Sequence, residues 1–533
     1  MESRNSHEPL TLTKREFLRG FASVSGISAV MAALDAWDMS IASAATAPPA
    51  LSGRADGTRV LILGAGIAGL TTACELTERG YDCRILEVRS FAGGRCQTAR
   101  AGFRLDEIGG QSQVCDFDEG QWFNTAAWRI PAHHKSLFHY CRRFGIPMQT
   151  LISSNESTYL RYENIEGPLA GRRVRRREVM MDMRGYTSEL LAKLAHQGAL
   201  DAELTGDDRE QLIEYLVAEG YLDPNDLVYK GTTERGWAVD FAGPLEPGQP
   251  SEALALKELL QSGLGNTFRA VSSFERPYTM LQPVGGMDRI AAAFEERVGH
   301  LTTYHAEVQE LRQTEQEVQV HYRDALTGDM ATATGDYCVT TIPLAVMHNI
   351  PNDLSDRCKA AIGAATQSQV GKLALQMNRR FWEEDDAIFG GSSQTDTPGG
   401  SVIYPSHGFL GPKGVVQGYY AFGDTADSVG AMDHGQRTER GLANGEKLHP
   451  GQFRRHYDGK ALSVDWKRVP YSLGGWESWS DEARRDHFPV LLEPQGRVYF
   501  AGAYLSHLTG WQAGAVESAW YQVERLHANA AAV

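Results

Sequence analysis

Residues 60–70 read Val-Leu-Ile-Leu-Gly-Ala-Gly-Ile-Ala-Gly-Leu, and Glu87 follows eighteen residues after the third glycine. An apolar run that meets G-x-G-x-x-G, with an acid at this distance, has the chemistry to seat the ADP half of a dinucleotide. Gly64 permits the tight turn out of a strand. Gly66 lets the backbone approach a pyrophosphate, and Gly69 lets the following helix pack close to the strand. The helix N-terminus then presents unpaired N–H groups and a positive dipole end to the phosphates. The Glu87 carboxylate can accept both hydrogen bonds of a ribose diol. Three glycines alone would equally suit an unliganded turn. Strand, helix and acid in this order favour the dinucleotide.

The flanking residues predict the elements that hold these groups. Arg59 to Leu63 reads as a buried parallel strand, Ile67 to Arg79 as a helix stopped at Gly80, and Cys83 to Leu86 as a second strand. Gly93-Gly94-Arg95 adds a second glycine cluster. From Tyr186 to Leu264 the apolar spacing turns helical, with pieces over Ser188–Leu194 and Asp207–Leu216. A turn-rich break spans Pro244–Pro250, and Ser251 is expected to cap a further helix through Leu260. Pro283-Val284-Gly285-Gly286-Met287 re-enters an α/β pattern. Val318–Tyr322 alternates as a strand, and Val339–Pro343 ends another. Residues 372–472 read as strand-like and aromatic-rich. Arg497–Ala501 predicts a last strand running into Gly502, and a helix from near Ala513 closes the chain.

A chain of 533 residues suggests two or three domains. With 42% hydrophobic and 22% charged residues it reads as a globular protein. The net charge of −15 argues against a nucleic-acid partner, which would need a basic stripe. The short basic run Arg172–Arg177 reads as a solvated loop or helix face. Seven scattered cysteines without a C-x-x-C pair give neither a disulfide framework nor a zinc site, and no metal is expected. Residues 1–50 differ from the rest. Thr13-Lys14-Arg15-Glu16-Phe17-Leu18-Arg19 precedes a small-sided apolar run from Gly20 to Leu34, then Ala42-Ser43-Ala44 and Pro48-Pro49. This resembles a twin-arginine export leader, which would place the protein in the periplasm or outside the cell. The alternative is a flexible arm on a cytoplasmic protein. The apolar run is too short for a stable membrane span.

Several segments together resemble the flavin-containing amine oxidase family: Glu87-Val88-Arg89 with Gly93-Gly94-Arg95, Pro283–Met287, and Gly496–Gly502. Within that family the resemblance is to L-amino-acid oxidases. It rests on Asn124-Thr125-Ala126-Ala127-Trp128-Arg129-Ile130-Pro131, on Val370-Gly371-Lys372 with Arg380-Phe381-Trp382-Glu383, and on Gly510-Trp511. The implied fold is α/β. A Rossmann-type FAD-binding domain, split in sequence over 58–112, 281–368 and 490–533, joins a mixed-sheet substrate-binding domain over 113–180 and 369–480. A helical domain is inserted at 181–275.

The resemblance implies non-covalent FAD held by Gly64, Gly66, Ala68 and Gly69 at the pyrophosphate. Glu87, Val88, Arg89, Gly94 and Arg95 would meet ribose or phosphate, and Val308 adenine. Ala127, Trp128, Arg129, Gly502, Ala503, Trp511 and Val516 would lie along the remainder. Arg129 and Tyr420 would hold the substrate carboxylate, and Lys372 a water near the flavin. Gly510 and Trp511 would cover the substrate, with Phe422 and Trp476 at its side chain. Tyr419 should point away from Tyr420 on a strand. The family usually has glutamate where this chain has Ala503, so one FAD contact is missing. The implied reaction passes hydride from Cα of an L-α-amino acid to FAD, with O2 as final acceptor. Its products are a 2-oxo acid, ammonia and hydrogen peroxide. A 2-monooxygenase and a mono- or polyamine oxidase are alternatives on the same fold, and a homodimer is the family's habit.

Overall fold

A computed structural model describes residues 46–531, except 56, 110, 271 and 272. Most of the expected leader therefore lies outside the described residues. Strands β1 (Arg59–Leu63), β2 (Asp82–Leu86), β3 (Thr302–Thr303), β4 (Tyr337–Thr340) and β5 (Val498–Phe500) form one parallel sheet in the order β3-β2-β1-β4-β5. Val60 to Leu63 of β1 and all of β4 are buried, as a parallel sheet covered on both faces requires. One face packs on helix α1 (Ile67–Thr77), Asp288–Val298 and the C-terminal helix Gln512–Ala531. The other packs on an antiparallel sheet of Ala306–Gln313, Val318–Asp324 and Met330–Gly335.

A second, mixed sheet has seven strands in the order Tyr457–Asp465, Val370–Met377, Gly414–Phe422, Ser401–Ile403, Ser392–Thr395, Tyr159–Arg161 and Val174–Arg175. Its register sets Lys372 directly opposite Tyr420, on the same face. Tyr419 points the other way into a core with Trp382 and Phe453. Helices Arg176–His196, Gly206–Gly220 and Leu256–Ser262 make the helical part. It is locked by a fully buried Arg235–Asp182 ion pair at 2.6 Å. Asp182 also accepts from the Tyr229 hydroxyl and the Leu254 N–H.

Four expectations are corrected. The first long helix begins at Arg176, so the basic run is not a solvated face: Arg173 and Arg175 stack on the Tyr159 ring at 4.2 and 4.1 Å, and Arg176 is buried. Ser251 caps nothing. It accepts from Arg235, and the helix starts at Leu256. The strand-like region contains helices Gly423–Gly430 and His434–Leu448. The second is rich in glycine because Cβ atoms at Gly441 and Gly445 would strike Leu373 and Phe453, and those glycines hide its helical pattern. Residues 135–143, assigned to the substrate-binding part, form a helix that packs in the α1 core. All seven cysteines are free and buried. Among the described residues no helix is long and apolar enough to cross a membrane.

The junction of β1 and α1 tolerates no side chain at one glycine and accepts one at another. A Cβ at Gly69 would lie 2.0 Å from the Gly64 carbonyl oxygen, whereas one at Gly66 meets nothing within 4 Å. Gly69→Ala is expected to destabilise the protein by about 3 kcal/mol or more. Gly66→Ala should leave the melting temperature within about 2 °C of wild type. Thermal melting of the two variants side by side checks this.

Candidate active site

The carboxyl ends of β1, β2 and β4 open into a cavity of about 900 Å³ that runs on to the face of the mixed sheet carrying Lys372 and Tyr420. That is the upper end of the range for small-molecule sites. Its cofactor-side wall includes Gly64, Gly66, Ala68, Glu87, Val88, Arg89, Gly94, Arg95, Val308, Gly502 and Ala503. Its far wall includes Ala127, Trp128, Arg129, Lys372, Tyr420, Phe422, Trp476, Gly510 and Trp511. Two expected contacts lie behind the wall. Gly69 is occupied by its packing on Gly64, and Val516 is buried in the α1 core. Ala515, one residue earlier and so about 100° around the helix, takes the wall position.

Gly64 has φ +101°, the left-handed region that glycine enters freely. Helix α1 starts after Gly66 with no side-chain cap and no acid in its first turn. Its N-terminus therefore keeps unsatisfied donors and an unopposed dipole at the cavity. Glu87 accepts from the Ala65 N–H at 2.7 Å and the Arg89 N–H at 2.9 Å, one oxygen each, which leaves lone pairs on both. Arg89 donates to the Pro470 carbonyl and the Ser472 hydroxyl. Arg95 pairs with buried Glu477 at 3.2 Å and donates to the Gly475 carbonyl. Cys96 also reaches the wall, but its thiol donates to the Met287 carbonyl, and burial raises its pKa, so it stays protonated.

Trp128, Tyr420, Phe422 and Trp476 form a continuous aromatic surface, with successive ring centroids at 6.3, 4.3 and 6.2 Å. The Arg129 guanidinium lies 4.6 Å over the Trp128 ring and donates to the Ser153 hydroxyl at 3.0 Å. No carboxylate pairs with it among the described residues. Burial lowers its pKa to about 10, so it remains charged at neutral pH. Burial raises the neighbouring Tyr420 phenol. Lys372 is 1% exposed; its amine donates to the Ala126 carbonyl at 2.7 Å and lies 4.9 Å over the Tyr420 ring. Burial first, then the Arg129 charge, lowers Lys372 to about 7.

Residues 67–527 match the family model described as flavin containing amine oxidoreductase. The chain belongs to that family. The L-amino-acid oxidase of Notechis scutatus scutatus is 25% identical over 473 residues, covering 86% of this chain and 84% of that protein. L-amino acid oxidase bordonein-L of Crotalus durissus terrificus is 26% identical over 476 residues, covering 86% and 85%. Cyclohexylamine oxidase from Brevibacterium oxydans IH-35A shares the fold at a TM-score of 0.59 and 15% identity, over 89% of this chain and 99% of that one. FAD is the cofactor of this oxidoreductase. The cofactor-side wall fits it: an uncapped helix end for phosphates, a doubly anchored carboxylate for a diol, and arginines for further phosphate or ribose oxygens.

Among the polar groups that sequence reasoning missed on the wall of this flavin amine oxidoreductase are Ser153, Arg276 and Gln512. Gln512 follows Trp511 at the start of the last helix and was findable from that position. Ser153 and Arg276 sit in stretches without a motif.

Lys372 yields a test with a definite sign. Its folded value, about 7, lies below the ordinary 10.5, so folding releases a proton between those pH values. This group therefore makes stability rise with pH across that window, by at most ~1.4 kcal/mol per pH unit. Lys372→Met should lose that rise. Unfolding measured between pH 7 and 9.5 in both proteins checks it, and parallel curves would show that the amine stays charged.

Proposed function

We propose that this oxidoreductase converts L-α-amino acids with large neutral side chains to 2-oxo acids, ammonium and hydrogen peroxide, at the expense of O2 and water. The observation that carries this reading is Arg129: a half-buried, charged, bidentate donor facing a cavity without a protein counter-ion among the described residues. A planar fork of this kind matches a carboxylate, and an amine substrate without one would leave it unpaired.

When bound, FAD supplies the two-electron oxidant and its recycling by O2. The chain does the rest by binding and orientation. Arg129 and the Tyr420 hydroxyl take the substrate carboxylate. The Gly510 backbone carbonyl accepts from the amine, which fixes the Cα–H relative to the cofactor-side wall. Trp511 and Trp128 exclude water, and Phe422 with Trp476 accepts the side chain. Lys372, which titrates near neutral pH, positions a water molecule. Loss of hydride requires a neutral substrate amine, so the deprotonated substrate is the form that reacts. The imino acid is hydrolysed by water.

A peroxide assay over the twenty L-amino acids, their D-isomers and the decarboxylated amines tests the proposal. Large neutral L-isomers should be turned over, with 2-oxo acid formed in step with peroxide. Amide or aldehyde products would overturn the reaction assigned. A preference for acidic side chains would overturn the substrate range and assign Arg276 to the second carboxylate. Arg129→Leu should raise KM for the best substrate roughly 30-fold or more, while the protein retains its flavin absorbance. An unchanged KM removes the carboxylate assignment.

A further inference from the structure

Three side chains able to ligate a metal converge just outside the cavity wall. His133 and His134 follow Pro131, and Glu275 lies in a turn closed by the Arg276 N–H donating to the Ser273 carbonyl. One ligand atom from each lies within 4.8 Å of the others. His133 Nε2 is 3.2 Å from Glu275 Oε1, and His134 Nε2 is 3.6 Å from Glu275 Oε2. His134 is 1% exposed, and both its Nε2 and Glu275 Oε2 are buried without a hydrogen-bond partner. A separation of 3.6 Å is too long for a hydrogen bond, and two buried polar atoms left unsatisfied are a standing penalty. The spacing instead suits a cation between them. Two ligands each about 2.0–2.1 Å from a tetrahedral ion stand about 3.4 Å apart.

We propose that His133, His134 and Glu275 bind one divalent transition-metal ion of the zinc class at the rim of the active-site cavity. Two imidazole nitrogens and one carboxylate oxygen are a three-ligand set that leaves the fourth tetrahedral position to water. Magnesium and calcium demand more oxygen donors, so nitrogen ligands select against them. The bound ion ties the turn at 273–276 to the chain entering the helix Lys135–Arg143. Both sides of this link reach the cavity: the Trp511 ring meets His134 edge-on at 4.9 Å, and Arg276 follows Glu275 on the wall. Glu275 lies over a hundred residues from the His133-His134 pair, which is why no metal-binding spacing marks the site in the sequence.

Calorimetric titration of the metal-stripped holoenzyme with zinc chloride tests the site. Wild type is expected to bind one zinc ion. His133→Ala and Glu275→Gln should each weaken that binding by about 100-fold or more, with flavin absorbance and melting temperature showing that both variants are folded. Failure of wild type to bind one zinc ion overturns the proposal, as does undiminished affinity in both folded variants. If neither variant folds, anomalous diffraction at the zinc edge from wild-type crystals soaked in zinc chloride decides. A peak between the three side chains supports the site, and none there overturns it.

Discussion

A side-chain carbon at Gly69 would stand 2.0 Å from the Gly64 carbonyl oxygen, so β1 and α1 meet at a distance that only bare backbone allows. The cofactor half of the cavity follows from that approach. It brings the first N–H groups of α1 to the carboxyl edge of the sheet, where a phosphate can reach them. It lets Gly93 bridge to Gly66 and sets the Cβ position of Gly94 only 3.3 Å from the Gly66 Cα. Glu87 then turns back to take the Ala65 N–H inside the same turn. Strand β4 pairs with β1 from almost three hundred residues away, as Val60 opposite Tyr337, and delivers Thr341 to Pro343 to the neighbouring wall.

Charge completes what packing begins. The chain is strongly anionic overall, yet the cavity wall carries Arg89, Arg95, Arg129, Arg276 and Lys372 against only Glu87 and Glu307. A concave, partly desolvated surface of this sign draws in phosphates and carboxylates. Burial divides the two cations nearest the substrate wall. Arg129 is lowered to about 10 and stays charged, whereas Lys372 is lowered to about 7 and titrates near neutrality. The guanidinium is thereby a fixed charge for an anion. The amine, already donating to the Ala126 carbonyl, can hold a neutral molecule without presenting a full second charge.

Three strands of the parallel sheet were legible because each ends in a recognisable residue: Gly64 after β1, Glu87 after β2, Gly502 after β5. Arg129, Tyr420 and Lys372 were legible through motifs, and the Tyr419–Tyr420 alternation through the strand period. The start of the first long helix was obscured by a run of five arginines without apolar periodicity, of which Arg173 and Arg175 stack on Tyr159 and donate to distant carbonyls. The helix His434–Leu448 was obscured by glycines chosen for contact with Leu373 and Phe453 rather than for propensity. Ser153 and Arg276 enter the cavity only because the strands Met148–Ile152 and Thr279–Pro283 pair antiparallel beside it. That is a tertiary fact with no signature in either segment.

Ala503 shows how the cofactor wall can lack a side-chain acceptor and remain coherent. Its neighbour Gly502 directs its N–H to the Ser518 hydroxyl, inside the last helix, so the strand end is anchored without a carboxylate. That helix, Gln512–Ala531, has no acid in its first turn and brings Gln512 and Ala515 to the wall. Two helices therefore begin at the cavity with no acid in their first turns, and neither positive end is neutralised by a side chain. A glutamate at 503 would add a hydrogen-bond acceptor and a negative charge to this wall. With alanine the wall offers helix ends and arginines to phosphates, and the Glu87 carboxylate to a diol.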